Sequence, residues 1–502
     1  MSDPSLAVAS RELSLAQRGI RGAAWSYGGA AVVIIGQLLY TALTARLISP
    51  AEFGAYATAQ ALLMLVGYFT LNTVGNAIIR QPSLDRSTVG TALILTGTAG
   101  AVVAVVVLAT AGLWAELWRS PGAASLIRLY APQMLFGGLA IVPLSLLRRD
   151  LRFRSSTLIE TSSVLIGFGI GAGLAWRLRN AEALVLGQVA ATGALLLLGA
   201  LATRSRLSFS YSRTQARSLF SFSSQVSLQN LGHSLNNILP SFAVSRFLGQ
   251  ASLGFFSRAS LLVWLPLTFL AQGVQKTLYP IYPRFREDKG ECRRMMSDVT
   301  SVSTTIVWPL FAVLAGLAPL VVELLLGGRW APVAAIVGPL CLYAAANFVY
   351  SIFASFAESF GYLRQIWLVQ AVWTVALVCS LGAVVLADAD MRVLVLAAAG
   401  VQIAAHILQI ALLARVRVID AVATVRVQVW AALLATVWYI ATMLTTNELE
   451  GSGLAMRIVV SFGVVALLAL GSVLALPYLP AGKAFSRRGI RITWRARASQ
   501  PS

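Results

Sequence analysis

The sequence predicts an all-α integral membrane protein with about fourteen transmembrane helices. Three observations lead to this fold class. Of the 502 residues, 58% are hydrophobic and only 12% are charged, whereas soluble domains carry roughly 25% charged residues. The apolar residues form runs of about 20, which is the length that crosses the hydrocarbon of a bilayer. Because lipid offers the backbone no hydrogen bonds, runs of this length are expected to be helices.

The apolar runs follow one another with mostly short polar gaps, so no separate soluble domain is expected. Residues 1–20 are too polar to form the apolar core of a cleavable signal peptide, and the first span is therefore expected to remain as an anchor. The runs begin near residues 22, 53, 89, 126, 157, 181, 219, 253, 297, 331, 363, 391, 424 and 454.

The net charge is +20, and most of the 39 basic residues lie in alternate loops between the spans. A nucleic-acid-binding protein would gather them on one face, so this class is disfavoured. Loops rich in Lys and Arg remain in the cytoplasm, which predicts that both termini are cytoplasmic. The basic tail 477–502 is expected to lie against anionic headgroups. The three cysteines form no motif.

The chain contains an internal repeat. A shift of 200 residues places 45–63 on 245–263 and pairs Gly54 with Gly254. A second shift, of 207 residues, pairs Glu116 with Glu323, Pro132 with Pro339, Phe136 with Tyr343 and Phe153 with Phe360. The two shifts differ by seven residues, and one longer loop at 284–294 explains this difference.

The repeat predicts two parallel six-helix halves, spans 1–6 and 7–12, related by an axis along the membrane normal, with two further C-terminal helices. The predicted organisation is a cytoplasmic N-terminal segment (1–21), a first half (22–203), a basic cytoplasmic linker (204–218), a second half (219–415), two extra helices (424–476) and a basic cytoplasmic tail (477–502).

Polar side chains inside a span are candidates for function because lipid excludes them. Gln229, His233 and Asn237 recur every four residues in span 7 and would share one helical face. A water-filled cavity would suit that face, although hydrogen bonds between helices are the alternative. The shift of 200 residues pairs Asn237 with Gln37 in span 1, while Asn72 and Asn76 are expected on one face of span 2.

Two segments resemble a known family. Residues 253–294 start with Leu-Gly-Phe-Phe, carry a mid-helix Pro266 and reach Tyr-Pro at 282–283, directly before the basic loop 284–294. This pattern is similar to the eighth-span region of bacterial polysaccharide flippases, and 21–57 resembles their first two spans. The resemblance covers nearly the whole chain. It is closest to the lipopolysaccharide and teichuronic-acid exporter branch of the multidrug/oligosaccharidyl-lipid/polysaccharide superfamily.

The resemblance implies a flippase that moves undecaprenyl-diphosphate-linked oligosaccharides from the inner to the outer leaflet of the cell inner membrane, by alternating access of the two halves. It implies a transporter for cell-surface polysaccharide biosynthesis rather than an enzyme, with membrane lipids and polysaccharide assembly proteins as partners. No cofactor is expected. Whether a proton or a sodium ion drives transport stays open.

Two other functions remain as alternatives. Cation-coupled multidrug exporters of the same superfamily often carry an acidic residue in span 1, and 22–46 contains none. A membrane-embedded polysaccharide polymerase or ligase would need sizeable outer loops with clustered Arg, His or Asp, and the predicted outer loops are short. The sequence does not distinguish a polysaccharide flippase from its close relative, a flippase of peptidoglycan precursor.

The diphosphate implied by the resemblance would need cations along its path. Lys276 and Arg258 are both predicted in span 8, eighteen residues apart, which is five helical turns and about 27 Å. They would therefore share one face near opposite ends of the span. The predicted substrate-cavity residues are Gln37, Asn72, Asn76, Gln229, His233, Asn237, Arg258 and Lys276, with no catalytic residue and no metal ligand.

One apparent motif is discounted. The sequence GFGIGAG at 167–173 resembles a dinucleotide-binding fingerprint. It lies inside an apolar span without a preceding strand, so close helix packing through small residues is predicted instead.

Overall fold

The structure is a computed structural model, and it describes the backbone of residues 4–67, 69, 74–81, 84–217, 219–220, 237–278, 288–449 and 451–475. Within these ranges, the side chains of 4–24, 80, 269–278, 289 and 474–475 lie outside the description. The described part of the chain is helical and contains no β-strand.

Sixteen helices of the described residues are numbered α1 to α16 in chain order, and helix α8 ends in a π-helical turn, Val244–Leu248. They are α1 Pro4–Leu47, α2 Pro50–Gly67, α3 Val74–Arg80, α4 Arg86–Leu117, α5 Ala123–Arg149, α6 Phe153–Leu178, α7 Glu182–Thr203, α8 237–248, α9 Gln250–Leu278, α10 Lys289–Gly316, α11 Ala318–Leu325, α12 Ala331–Ser359, α13 Leu363–Leu386, α14 Met391–Arg415, α15 Ala421–Glu448 and α16 Leu454–Ala475.

Twelve helices of the described residues are long and apolar enough to cross a membrane, and they coincide with predicted spans 1, 3–6 and 8–14. Their outer faces carry large apolar side chains, such as Leu113 and Trp176, each 70% exposed. Lipid solvates such faces. The all-α membrane fold class is confirmed. Predicted span 2 coincides with α2, and span 7 falls mostly on residues outside the description, so the total of fourteen stays a prediction.

Some boundaries differ from the sequence-based expectation. Helix α1 begins at Pro4 and continues unbroken through the predicted N-terminal segment 1–21. Helix α10 begins at Lys289, within the predicted loop 284–294, because Asp288 caps it by accepting hydrogen bonds from the backbone N–H groups of Gly290 and Glu291 at 2.7 and 3.0 Å. These bonds lower the pKa of the Asp288 carboxyl from its ordinary value. The short helix α11 was not expected.

The chain divides into two compact units between Ser257 and Arg258, inside α9, with Leu325–Gly327 grouped with the first unit. In the first unit α4 packs on α5, α5 on α7, and α6 on α7. In the second, α10 packs on α12, α12 on α14, and α13 on α14. This repeated order of packing is what the duplication predicts. The predicted boundaries of the halves stay a prediction.

A reciprocal close contact in the first unit matches the 200-residue repeat. A Cβ placed on Gly54 would lie 1.9 Å from the backbone oxygen of Gln250, and one placed on Gly254 would lie 1.9 Å from that of Pro50. The shift of 200 residues pairs Pro50 with Gln250 and Gly54 with Gly254. Only glycine permits backbones to approach this closely. The paired glycines found in the sequence are therefore required by one symmetrical contact.

The GFGIGAG segment packs helices together, as predicted. A Cβ on Gly167 in α6 would lie 2.7 Å from the backbone oxygen of Gly187 in α7, and one on Gly171 would lie 2.5 Å from the Tyr40 hydroxyl of α1. The small residues therefore allow α6 to approach both α7 and α1.

Charged side chains at the α5–α6 turn form pairs. Arg148 contacts Glu160 at 2.8 Å. Asp150 pairs with Arg206. Each pair is at least one-third exposed, so its contribution to stability is small.

Candidate functional site: a glutamine-lined cavity

Helices α2, α5 and α7 of the first unit line an open cavity of about 310 Å³. We name it the glutamine cavity, because each helix contributes one glutamine to its lining. Its volume is at the lower end of the roughly 300–1,000 Å³ typical of small-molecule sites. It is lined by Gln60, Leu63, Met64, Gly67, Gln133, Met134, Gly137, Gln188 and Thr192.

The Tyr56 hydroxyl links two of these glutamines. The side-chain amide of Gln60, one turn further along α2, donates to the Tyr56 oxygen at 3.0 Å. The amide of Gln188 in α7 donates to the same oxygen at 2.8 Å. Each amide still has a carbonyl oxygen and a second N–H. Because Tyr56 is only 5% exposed, these bonds fix the orientation of both glutamines at the edge of the cavity.

Gln133 of α5 supplies a third amide. Its Oε1 atom is buried and has no hydrogen-bond partner among the described residues. A buried acceptor without a donor costs about 1–3 kcal/mol, so a ligand or water that donates a hydrogen bond would be favoured here. The ring of Tyr130, one turn earlier in α5 and fully buried, lies 6.3 Å from the ring of Tyr56.

Among the residues that the structure describes, the cavity lining contains no charged side chain. Its polar groups are the three amides and the Thr192 hydroxyl, and its apolar groups are two methionines and one leucine. Both phosphate and metal ions would lack a counter-charge in such a lining. A neutral ligand with several hydroxyl groups and some C–H surface fits it better, because hydroxyls both donate and accept.

A second buried polar group lies in the second unit and is built around a histidine. The side chain of Gln428 in α15 lies 3.0 Å from His406 Nε2, and Gln409 Oε1 lies 3.3 Å from His406 Nδ1. The amide nitrogen can only donate and the amide oxygen can only accept, so the imidazole is neutral with its proton on Nδ1. We name these three residues the His406 cluster.

Three of the predicted cavity residues are described with their side chains in the first unit. Gln37 is half-buried in α1, and its amide donates to the Thr41 hydroxyl one turn further on, at 3.1 Å. Asn237 is half-buried at the start of α8. Asn76 lies in the short helix α3, separate from α2, and its side chain is exposed. None of the three lines the glutamine cavity.

The structure describes the other predicted cavity residues only in part. Asn72, Gln229 and His233 lie outside the described residues, so the polar face of span 7 stays a prediction. Arg258 is 7% exposed in α9. Lys276 lies in the same helix, as predicted, but its side chain is outside the description. Pro266 lies inside the helix between them.

Sequence reasoning missed the glutamine cavity because it searched for polar stripes within single helices. Tyr56 and Gln60 are four residues apart and do share a face of α2, which was a usable signal. Gln133 and Gln188 each stand alone in an apolar span, and single glutamines are unremarkable in sequence.

A family model described as "Polysaccharide biosynthesis protein" matches residues 43–335, which is more than half of the chain and includes all three helices around the cavity. The chain belongs to this family. The resemblance inferred from 253–294 and 21–57 is therefore confirmed.

Two curated relatives and one solved structure are similar to this chain. Lipopolysaccharide biosynthesis protein WzxC of Escherichia coli (strain K12) is 25% identical over 66% of this chain and 68% of its own length. Succinoglycan biosynthesis transport protein ExoT of Rhizobium meliloti (strain 1021) is 26% identical over 60% of this chain and 61% of its own length. The fold resembles that of lipid II flippase MurJ, with a TM-score of 0.68 and 12% identity over 91% of this chain and 99% of that one.

Proposed function

We propose that this protein is a flippase that moves lipid-linked oligosaccharides across the membrane for cell-surface polysaccharide biosynthesis. The family match over residues 43–335 carries this proposal, because it includes the helices that line the amide-rich cavity, whose described lining residues carry no charge. The names of the two relatives describe biosynthesis and transport of cell-surface polysaccharides. A cavity with several amides and no charge suits the sugar part of such a substrate.

The finer features of the proposal are those that the family resemblance implies. The carrier would be undecaprenyl diphosphate, the direction from the inner to the outer leaflet, and the mechanism alternating access. The basic loops would place both termini in the cytoplasm of a bacterial cell. Reporter fusions after Asn180 and at the C-terminus should then report opposite sides of the membrane, and matching sides would contradict this orientation.

The direct test measures which leaflet exposes the lipid-linked oligosaccharide. Cells lacking the protein should accumulate it on the cytoplasmic side, and spheroplasts of these cells should expose little of it to an added glycosidase. Cells restored with the wild-type protein should expose it. Equal exposure with and without the protein would refute the proposal.

We also propose that Arg258 and Lys276 interact with the diphosphate of the carrier. Both lie in α9, and the burial of Arg258 holds its guanidinium inside the protein. An arginine guanidinium can bind the oxygens of a phosphate through two parallel N–H···O bonds. Arg258→Gln and Lys276→Gln should each lower export at unchanged protein abundance. Wild-type export by both variants would mean that these cations are structural.

A cation-coupled multidrug exporter is the remaining candidate from the same superfamily. Neither the described side chains of α1 nor the lining of the glutamine cavity includes an acidic residue that would hold a coupling cation. Cells lacking the protein should accordingly keep their susceptibility to cationic drugs. Increased susceptibility, with unchanged oligosaccharide exposure, would favour the exporter.

A further inference from the structure

We propose that the glutamine cavity is a binding subsite for one uncharged sugar residue of the transported glycan. This inference rests on the proposed flippase function and adds to it a location, a ligand class and a selectivity. The site would prefer neutral sugars over sugars that carry a carboxylate.

The arrangement of hydrogen-bonding groups is the first argument. The Tyr56 hydroxyl holds Gln60 and Gln188 in place through bonds of 3.0 and 2.8 Å. The amides of Gln60, Gln133 and Gln188 come from three different helices and line the same space. Adjacent sugar hydroxyls require several donors and acceptors in fixed positions, and amides supply both.

The unsatisfied acceptor is the second argument. Gln133 Oε1 is buried and has no partner within the described part of the chain. A ligand hydroxyl would donate to it and remove the penalty of its burial. A carboxylate could not donate to it and would in addition be buried without a cation, since the lining residues that the structure describes include no basic side chain.

The shape of the cavity is the third argument. About 310 Å³ accommodates a small ligand rather than a whole oligosaccharide. Leu63, Met64 and Met134 give the cavity an apolar side against which the C–H face of a sugar ring can pack. A single residue of the glycan would therefore enter while the rest remains outside.

Two variants change the cavity in different ways. Gln133→Leu removes the free acceptor and nearly preserves side-chain size. Gly137→Val adds volume, and a Cβ at this position would meet only Thr192 Cγ2 at 3.9 Å, which is an ordinary contact. Gly169→Val is the matched control, because Gly169 lies on the exposed face of α6 and an added Cβ would meet nothing within 4 Å.

The experiment measures binding of three probes to the purified full-length protein in lipid nanodiscs. The probes are undecaprenyl diphosphate alone, the same carrier with a neutral disaccharide, and the carrier with a disaccharide containing a uronic acid. We expect the wild type to bind the neutral probe about tenfold more tightly than the bare carrier, equivalent to about 1.4 kcal/mol. Gln133→Leu and Gly137→Val should lose this difference and bind the bare carrier normally. Gly169→Val should behave as the wild type.

The possible results separate the two proposals. If the wild type binds the bare carrier and the neutral probe equally, the subsite is refuted while the flippase proposal stands. If the acidic probe binds as tightly as the neutral one, the proposed selectivity is refuted. If both cavity variants keep the full sugar-dependent difference, the cavity is not the subsite. If the wild type binds no probe, the flippase proposal fails together with the subsite.

Discussion

The two units each bury a polar group among apolar helices, and the two groups differ in how completely they are bonded. In the His406 cluster both ring nitrogens have partners within hydrogen-bonding distance, and His406 is 5% exposed. In the glutamine cavity Gln133 Oε1 has no partner among the described residues, and space for a ligand lies beside it. A polar group whose bonds are made within the protein joins helices. A group with bonds left to make is suited to binding.

The repeat sharpens this contrast. The shifts of 200 and 207 residues pair Tyr56 with Phe256, Gln60 with Ser260, Tyr130 with Val337 and Gln133 with Leu340. In the second copy Phe256, Val337 and Leu340 are buried apolar side chains. Three of these four positions are therefore apolar in the second copy, while Ser260 keeps a hydroxyl in place of the Gln60 amide. The polar cavity is a property of the first copy and not of the shared architecture.

The largest change in stability is expected for His406→Leu. The substitution leaves the amides of Gln409 and Gln428 without their imidazole partner, at about 1–3 kcal/mol for each buried unsatisfied group. The midpoint of thermal unfolding in detergent should fall, and binding of sugar-bearing probes by the folded fraction should not change. His406→Gln, which retains a donor and an acceptor, should recover part of the loss. If the variant is as stable as the wild type but binds the probes more weakly, the His406 cluster serves binding and does not join helices.

An intermediate effect is expected for Tyr56→Phe. Removing the phenolic oxygen takes the acceptor from both Gln60 and Gln188, and we expect a loss of about 1–2 kcal/mol in the free energy of unfolding. Export should also fall, because both amides lose their fixed orientation at the cavity. The measurements are thermal unfolding of purified protein and leaflet exposure of the oligosaccharide in cells. Wild-type export by this variant would show that the tyrosine serves packing alone.

The smallest change in stability is expected for Gln133→Leu. The free energy of unfolding should change by less than about 1 kcal/mol, and the change is expected to be stabilising, because the variant removes a buried acceptor that has no partner in the described chain. Export of a neutral glycan should nevertheless decrease. A marked loss of stability would mean that Gln133 holds helices together, as His406 does, and the distinction between the two groups would disappear.

Much of the fold follows from local sequence patterns. The length of the apolar runs predicted the positions of the spans, because every helix that crosses the lipid needs about the same number of apolar residues. The small residues of GFGIGAG predicted close packing of α6, and the contacts of Gly167 and Gly171 confirm it. The start of α10 was misplaced because Asp288 and the residues after it were interpreted as a polar loop, although an aspartate followed by Gly and Glu can also cap a helix.

The sequence by itself determined the membrane fold, the internal repeat and the family. These depend on composition, spacing and similarity between segments, which require no knowledge of distant contacts. Only the tertiary structure brought Gln60, Gln133 and Gln188 to one cavity, and only it joined His406 of α14 to Gln428 of α15. Each helix contributes one or two polar residues to such a group, so no single helix shows a polar stripe. Their convergence depends on how α2, α5 and α7 rotate and pack, and that is set by the side chains of all three helices together.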